Sequence, residues 1–326
     1  MLRIPKKMLV LAFSAALLSN PPQGSTYHGI ASLPLHIPPQ TEGEKSPLLF
    51  SRENIIAHRA AGGDKREEYS LRSISKAVKS GAAWIEMDLR LTSDNQLVVH
   101  HDARLGRTTP GVGYLDELTL AQLRASSGHD DEHIPTLDQV LKLVDGKAGL
   151  VLDIKSQHVA EELANLLRQH VQSRRWRYNQ FIVMSFDHEE IRSMRRLNPA
   201  VPRGILVQGV SLALASTLRA TAPSYVFLHK DFIRLSVVRE AHRKHIKVFG
   251  YTVNNGLEMA RMAEWQLDGI ITDKPQSALK LSRAATDRKL SKDPIPTGLA
   301  RIGDISPRSE PLHITIDEPR MVPIGL

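Results

Sequence analysis

Short apolar runs recur along most of the chain, and they alternate with segments of helical periodicity. Runs rich in Val, Ile and Leu that end in polar residues are typical of buried strands. Nine strands are predicted, at residues 54–59, 84–92, 97–102, 149–155, 181–186, 203–208, 225–230, 247–253 and 268–272. Helices are predicted between many of them, at residues 70–80, 158–172, 188–197, 236–245 and 256–265. The alternation predicts an α/β fold with a parallel sheet. The simplest closed form of such a sheet is a TIM-like (β/α)8 barrel, which is the predicted fold.

The second and third predicted strands are too close in sequence for a crossover helix. The interval Thr92-Ser93-Asp94-Asn95-Gln96 is typical of a tight turn, so the two runs are predicted to form a hairpin. The hairpin explains why nine strands are predicted for eight barrel positions. If Thr92 pairs with Leu97, the antiparallel register sets Asp88 opposite His101.

The two ends of the chain differ from the middle in composition. Residues 1–20 combine early basic residues with an apolar stretch shorter than the ~20 residues needed to span a bilayer, and they are predicted to be a signal peptide or an N-terminal anchor. This predicts an exported protein, periplasmic or secreted, or one anchored to the membrane by its N-terminus. Residues 21–51 are rich in Pro, Ser and Gly and are predicted to be a linker or arm. The barrel is predicted as a single domain over residues 52–282, followed by a C-terminal tail over residues 283–326.

Composition excludes several classes of function. The formal net charge is +8, but the basic residues are scattered and form no compact run interleaved with aromatic residues, which argues against nucleic-acid binding. Mild basicity instead suits an anionic small molecule or association with a membrane surface. The chain has no cysteine, which excludes disulfides, thiolate nucleophiles and Cys-based metal sites. Nothing in the sequence fixes the number of subunits.

Acidic residues lie within two of the apolar strands. Glu86 and Asp88 are two positions apart, so a strand places both side chains on one face, where their charges repel unless a cation lies between them. Asp153 and Lys155 end another strand and would meet them at the carboxyl edge of a parallel barrel. Oxygen ligands favour Mg²⁺ or Ca²⁺ over Zn²⁺. The plainer alternatives are a solvent-facing acidic pair on an edge strand and a salt bridge at the barrel rim.

Two histidines follow strand-like runs and each has a charged neighbour. His58 precedes Arg59, and His101 precedes Asp102. Two imidazoles that titrate near neutrality suit the roles of general acid and general base, which cleavage of a phosphodiester requires. Arg59 and Lys155 are then candidates to bind the phosphate. The sequence does not decide which histidine is the acid.

These motifs together resemble the glycerophosphodiester phosphodiesterase family in order and spacing over about residues 52 to 280. The match is carried by several short segments: His58-Arg59, Glu68, Glu86-Met87-Asp88, residues 92–102, Arg107-Thr108-Thr109, Ile134-Pro135-Thr136-Leu137, Asp153-Ile154-Lys155, Met184-Ser185-Phe186, Tyr251-Thr252-Val253-Asn254 and residues 268–275. Many fragments in sequence order are a more specific signal than any one of them.

The resemblance implies a TIM-like barrel that hydrolyses glycerophosphodiesters to sn-glycerol 3-phosphate and an alcohol, with one divalent metal. It implies metal carboxylates at Glu86, Asp88 and Asp153 and a general acid and base at His58 and His101. It further implies phosphate contacts from Arg59 and Lys155, with Glu68 supporting the metal or His58. Cleavage through a cyclic phosphate and direct attack by water are both compatible with it.

Three positions depart from the family pattern. Ala60 stands where Gly is usual, Tyr69 where Asn is usual and Asp153 where Glu is usual. They leave two further hypotheses open. One is a phospholipase D-like enzyme acting on lysophospholipids, although the sphingomyelinase D type usually relies on disulfides. The other is a binding protein that has lost turnover.

Overall fold

The described residues form a closed barrel of parallel strands. The computed structural model describes residues 50–61, 68–126, 134–209 and 214–291. The strands are β1 (Ile55–Ala57), β2 (Trp84–Leu91), β3 (Leu97–Val99), β4 (Gly149–Ile154), β5 (Phe181–Ser185), β6 (Arg203–Val207), β7 (Tyr225–His229), β8 (Lys247–Tyr251) and β9 (Gly269–Thr272). Eight of them pair in parallel in the order β1-β2-β4-β5-β6-β7-β8-β9, and β9 returns to β1. The predicted TIM-like (β/α)8 fold is therefore confirmed.

The ninth strand, β3, is the predicted hairpin partner of β2 and is antiparallel to it. The predicted register is wrong by one residue, because Leu91 rather than Thr92 pairs with Leu97. The Thr92 amide instead donates to the Gln96 carbonyl across the turn, at 3.1 Å, and the amide of His100 bonds to the Asp88 carbonyl at 3.0 Å. His100, not His101, thus lies opposite Asp88 along the backbone.

The helices cover the outside of the barrel, and several of them begin at a side chain that accepts a hydrogen bond from an amide of the first turn. They are α1 (Leu71–Lys79), α2 (Leu120–Ser126), α3 (Leu137–Val144), α4 (Val159–Gln172), α5 (His188–Leu197), α6 (Leu214–Thr221), α7 (Leu235–Arg243), α8 (Gly256–Glu264) and α9 (Pro275–Ser291). Thr136 and Gln139 form a capping box at α3. The buried Glu190 accepts from the amides of His158 and Ala160 at the start of α4, both at 2.8 Å. The negative charge of Glu190 at this helix N-terminus also stabilises α4 through the helix dipole.

Side chains alternate between the barrel interior and the layer beneath the helices. The interior cluster consists of Ile56, Val151, Ile182, Met184, Leu206, Phe227, Phe249 and Ile271, with Trp84 packed against it. Gly149 is required beside Trp84, since a Cβ there would lie 2.4 Å from the indole ring. Glu86 lies two residues beyond Trp84 on β2, and Asp153 lies two residues beyond Val151 on β4, so both continue the interior face of their strands. The acidic side chains therefore lie directly above the apolar interior, at the carboxyl end of the strands.

The ends of the barrel extend slightly beyond the predicted limits. Phe50 is buried in the core, although the linker is predicted to run to residue 51. Helix α9 continues to Ser291, past the predicted barrel end at residue 282. The predicted signal or anchor (1–20), most of the arm (21–51) and the tail beyond residue 291 lie outside the described residues, so export stays a prediction. Within the described ranges, no helix is both long and apolar enough to cross a membrane.

Candidate active site

Three buried carboxylates meet at the carboxyl end of the barrel. Asp88 on β2 and Asp153 on β4 are partners in the parallel register, and Glu86 lies two residues before Asp88. One carboxylate oxygen from each of the three lies within 4.8 Å of the others, and all three residues are buried. The strand period of two places Glu86 and Asp88 on the same face, as the sequence spacing predicts.

The donor set fits a hard divalent cation. It contains only carboxylate oxygens, which Mg²⁺ and Ca²⁺ prefer. Asp153 Oδ1 is buried and has no hydrogen-bond donor among the described residues, so one acceptor is available for a ligand. Burial first, and then the charge of Asp88, raise the pKa of Glu86 to about 7, and burial raises that of Asp153 well above its usual range. A bound divalent cation would relieve this repulsion.

Lys155 follows β4 and neutralises part of the acidic cluster. Its Nζ lies 2.6 Å from Asp153 Oδ2 and 3.1 Å from Asp88 Oδ1. Burial opposes the ammonium charge, but Asp88 and Asp153 together raise the pKa of Lys155, so it stays charged. Burial likewise opposes ionisation of Asp88, yet Lys155 and its other partners lower the pKa of that carboxyl. With Arg59 nearby, three carboxylates face two cations, and a bound divalent ion would make the site net positive.

His58 lies just beyond β1, where the chain leaves the strand in a tight turn. Its Nδ1 lies 2.5 Å from Asp273 Oδ1, at the end of β9, and Asn254 Nδ2 donates to the other oxygen of Asp273 at 2.6 Å. Burial disfavours the imidazolium, but the hydrogen bond to Asp273 and the charge of Glu86 outweigh it and raise the pKa of His58. A carboxylate thus fixes the orientation of this imidazole.

His101 lies beyond β3 and is oriented by its own neighbour. Its Nδ1 lies 2.6 Å from Asp102 Oδ1, and Arg107 Nε donates to the other oxygen of Asp102. Burial, aided by the positive charges of Arg59 and Lys155, lowers the pKa of His101 against the opposite effect of Asp88 and Asp102. The two histidines are therefore held in different electrostatic environments, with His58 favouring the charged form and His101 the neutral form.

Arg59 is attached to the acidic cluster through its backbone. Residues Arg59 and Ala60 both have left-handed backbone angles, φ 50° and 60°, and the Arg59 amide donates to Glu86 Oε2 at 2.9 Å. The guanidinium reaches Glu68, with Nη1 3.2 Å from Oε2, and Arg107 forms two hydrogen bonds to the same carboxylate, at 3.0 and 2.8 Å. Glu68 therefore holds the two arginines, whereas the resemblance implied support for the metal or His58.

Three participants in the site have no role in the sequence prediction. Asp273 belongs to the barrel's last strand end, Arg107 joins Glu68 to Asp102, and the Tyr69 hydroxyl donates to Asp88 Oδ2. A usable signal existed only for Asp273, because closure of a barrel brings the end of its last strand beside the first. His100 is buried beside these residues, and its ring nitrogens bond to the Asp102 carbonyl and the Thr108 hydroxyl.

The fold and the site together define a class, that of TIM-barrel phosphoric ester hydrolases. The family model for the glycerophosphoryl diester phosphodiesterase family matches residues 58–277. A glycerophosphodiester phosphodiesterase of Caldanaerobacter subterraneus is 31% identical over 70% of this chain and 97% of its own length.

Solved structures of glycerophosphodiester phosphodiesterases and related phosphodiesterases are also similar to this chain. A phosphodiesterase of Oleispira antarctica, in complex with the product sn-glycerol-3-phosphate, is 26% identical with a TM-score of 0.62, over 72% of this chain and 96% of that one. A glycerophosphodiester phosphodiesterase of Parabacteroides distasonis is 25% identical with a TM-score of 0.59, over 72% and 98%. The chain belongs to the glycerophosphoryl diester phosphodiesterase family. The prediction of an enzyme of this class, a phosphoric diester hydrolase, is confirmed.

Proposed function

We propose that this enzyme hydrolyses glycerophosphodiesters to sn-glycerol 3-phosphate and an alcohol, with His58 and His101 as acid/base catalysts beside a bound Mg²⁺ or Ca²⁺. The observation that carries the proposal is the arrangement of two histidines, each oriented by a carboxylate, beside one buried acidic cluster. The product found in the Oleispira antarctica neighbour supports the choice of product.

The metal and the two cations have complementary tasks. Glu86, Asp88 and Asp153 would hold the ion, which supplies Lewis-acid stabilisation of charge on a phosphate oxygen when bound. Arg59 presents a planar guanidinium and Lys155 a compact ammonium, and both suit the anionic phosphate. Glu68 and Arg107 keep the Arg59 side chain in place through the contacts described above.

The two histidines transfer protons on opposite sides of the phosphorus. His101, whose pKa is lowered, is neutral at neutral pH and takes the proton from the attacking O–H group. His58, whose pKa is raised, keeps its proton and gives it to the leaving alcohol oxygen. One P–O bond forms and one breaks, so the two histidines exchange charge states. The attacking O–H belongs either to water or to the neighbouring glycerol hydroxyl, in which case water opens the cyclic phosphate afterwards.

Turnover of a defined diester tests the proposal. Purified protein should release sn-glycerol 3-phosphate and choline from glycerophosphocholine when Mg²⁺ or Ca²⁺ is added, and EDTA should abolish the reaction. Release of lysophosphatidic acid from lysophosphatidylcholine, without action on glycerophosphocholine, would instead indicate the phospholipase D-like alternative. Tight binding of several diesters without turnover would indicate a binding protein and contradict the proposal.

The proposed acid and base also predict the pH dependence of kcat/KM. The rate should fall at low pH as His101 gains a proton and at high pH as His58 loses one, which gives a bell-shaped profile. Asp273→Asn removes the carboxylate that raises the pKa of His58, so the alkaline limb should move to lower pH while the acid limb stays. The measurement is a pH profile of both proteins at saturating metal. An unshifted alkaline limb would contradict His58 as the acid.

A further inference from the structure

Tyr69 adopts a backbone conformation that is unfavourable for its side chain. Its φ is 60°, in the left-handed region, where Gly and Asn are tolerated and a bulky aromatic residue is an outlier. Such strain persists only where the surroundings enforce it, commonly at functional sites. The position of the Tyr69 side chain indicates what the strained turn provides.

The strained backbone delivers a hydroxyl to a carboxylate of the acidic cluster. Tyr69 is only 2% exposed, and its hydroxyl donates to Asp88 Oδ2 from nineteen positions earlier in the chain. Lys155 holds the other oxygen of Asp88 at 3.1 Å. Both oxygens of one carboxylate are therefore fixed, which sets the plane of the Asp88 carboxylate relative to Glu86 and Asp153.

The hydroxyl also occupies an acceptor that Arg59 would otherwise reach. Arg59 Nε is buried, has no hydrogen-bond acceptor among the described residues, and lies 3.7 Å from Asp88 Oδ2. An unpaired buried donor is costly and moves toward an acceptor that becomes free. Without the Tyr69 hydroxyl, the Arg59 guanidinium would turn toward Asp88 and away from Glu68. The Asp88 carboxylate, a proposed metal ligand, and Arg59, a proposed phosphate-binding residue, would then be displaced together.

We propose that Tyr69 is a positioning residue that orients Asp88 for metal binding and keeps the Arg59 guanidinium available to the phosphate. The proposal rests on the proposed function only in that it needs a cation at the acidic cluster. The group concerned is the Tyr69 hydroxyl, a neutral donor that contacts the metal ligand Asp88 and not the metal itself. Groups that orient metal ligands typically change metal affinity by 10–100-fold when they are removed.

The test is a calorimetric titration of EDTA-treated protein with MgCl₂ and, separately, CaCl₂. Tyr69→Phe removes one oxygen atom and should weaken metal binding by ~10–100-fold. In the steady state it should raise KM for glycerophosphocholine at saturating metal, because Arg59 is displaced. The matched control is Tyr225→Phe. Tyr225 lies at the start of β7, at the opposite end of the barrel from the acidic cluster, so its replacement should leave metal affinity unchanged.

A second substitution separates positioning from backbone strain. Tyr69→Asn suits a φ of 60° but its side chain is too short to reach Asp88, so it should also weaken metal binding even where the metal-free protein melts at a higher temperature. A lower melting temperature with unchanged metal affinity in both variants would assign Tyr69 a structural role and overturn the proposal. Wild-type protein that hydrolyses diesters but binds no metal would overturn both this inference and the metal part of the proposed function.

Discussion

Alanine at either His58 or His101 is expected to lower kcat by roughly 10²–10⁴-fold, the usual contribution of general acid/base catalysis. The loss should appear in kcat rather than in metal binding, since neither imidazole belongs to the acidic cluster of Glu86, Asp88 and Asp153. Steady-state kinetics with glycerophosphocholine and a metal titration of each variant measure the two quantities separately.

An exposed histidine far from the site provides the control. His245 lies between α7 and β8, at the amino end of the strands, and has a left-handed backbone that asparagine tolerates. His245→Asn should therefore keep both turnover and metal affinity. Under the proposed roles the two alanine variants should also differ from each other, because an activated substrate with a good leaving group needs no acid and should rescue His58→Ala but not His101→Ala. Near-normal activity of either alanine variant on glycerophosphocholine would exclude the histidine-pair mechanism.

Glu86→Gln should stabilise the metal-free protein and abolish its response to metal. The pKa of Glu86 is raised to about 7 in the folded state from 4.5, so its ionisation destabilises the fold: the cost is absent below about pH 4.5 and complete above about pH 7. At pH 8 the neutral amide removes this repulsion and should raise the melting temperature by a few degrees. The wild-type protein should instead gain stability when Mg²⁺ or Ca²⁺ binds, and the variant should gain little.

Glu190→Gln is the matched control for a buried glutamate. Glu190 accepts from two amides at the start of α4 and lies outside the acidic cluster, so its replacement should destabilise the protein by ~1 kcal/mol with or without metal. The metal-induced rise in melting temperature should remain. Melting curves of the three proteins at pH 8, with EDTA and with metal, give the comparison. A full metal-induced rise in Glu86→Gln would place the ion elsewhere.

The strand pattern was readable from the sequence because buried parallel strands are nearly continuous apolar runs. The hairpin was also readable, but its register was not, because it depends on the turn. Asn95 adopts φ 57°, and the Thr92 amide bonds to Gln96, which removes Thr92 from the ladder. Turn geometry of this kind depends on individual backbone angles, whereas the apolar period of the two strands is compatible with either register.

The candidate site, like the fold, was predictable from the sequence only in part. The grouping of Glu86, Asp88 and Asp153 follows from the strand period and from the convergence of strand ends, both of which the sequence supplies. Closure of the predicted barrel also brings the end of the last strand beside His58, but the sequence does not show that Asp273, rather than a neighbouring residue, contacts it. The contacts of Glu68 were equally hidden, because they depend on the path of the chain between β1 and α1 and on the reach of two long arginine side chains.

The pairing of His58 with Asp273 has a consequence for how the protein becomes active. The two residues are 215 positions apart, and they lie just beyond the first and the last strands of the barrel. During synthesis on the ribosome, His58 has no Asp273 to pair with until almost the entire barrel sequence has been made. A nascent or truncated chain that lacks β9 and Asp273 therefore lacks the carboxylate that orients His58. If His58 acts as the proposed acid, full hydrolytic activity is expected only after the barrel has closed and brought Asp273 beside it.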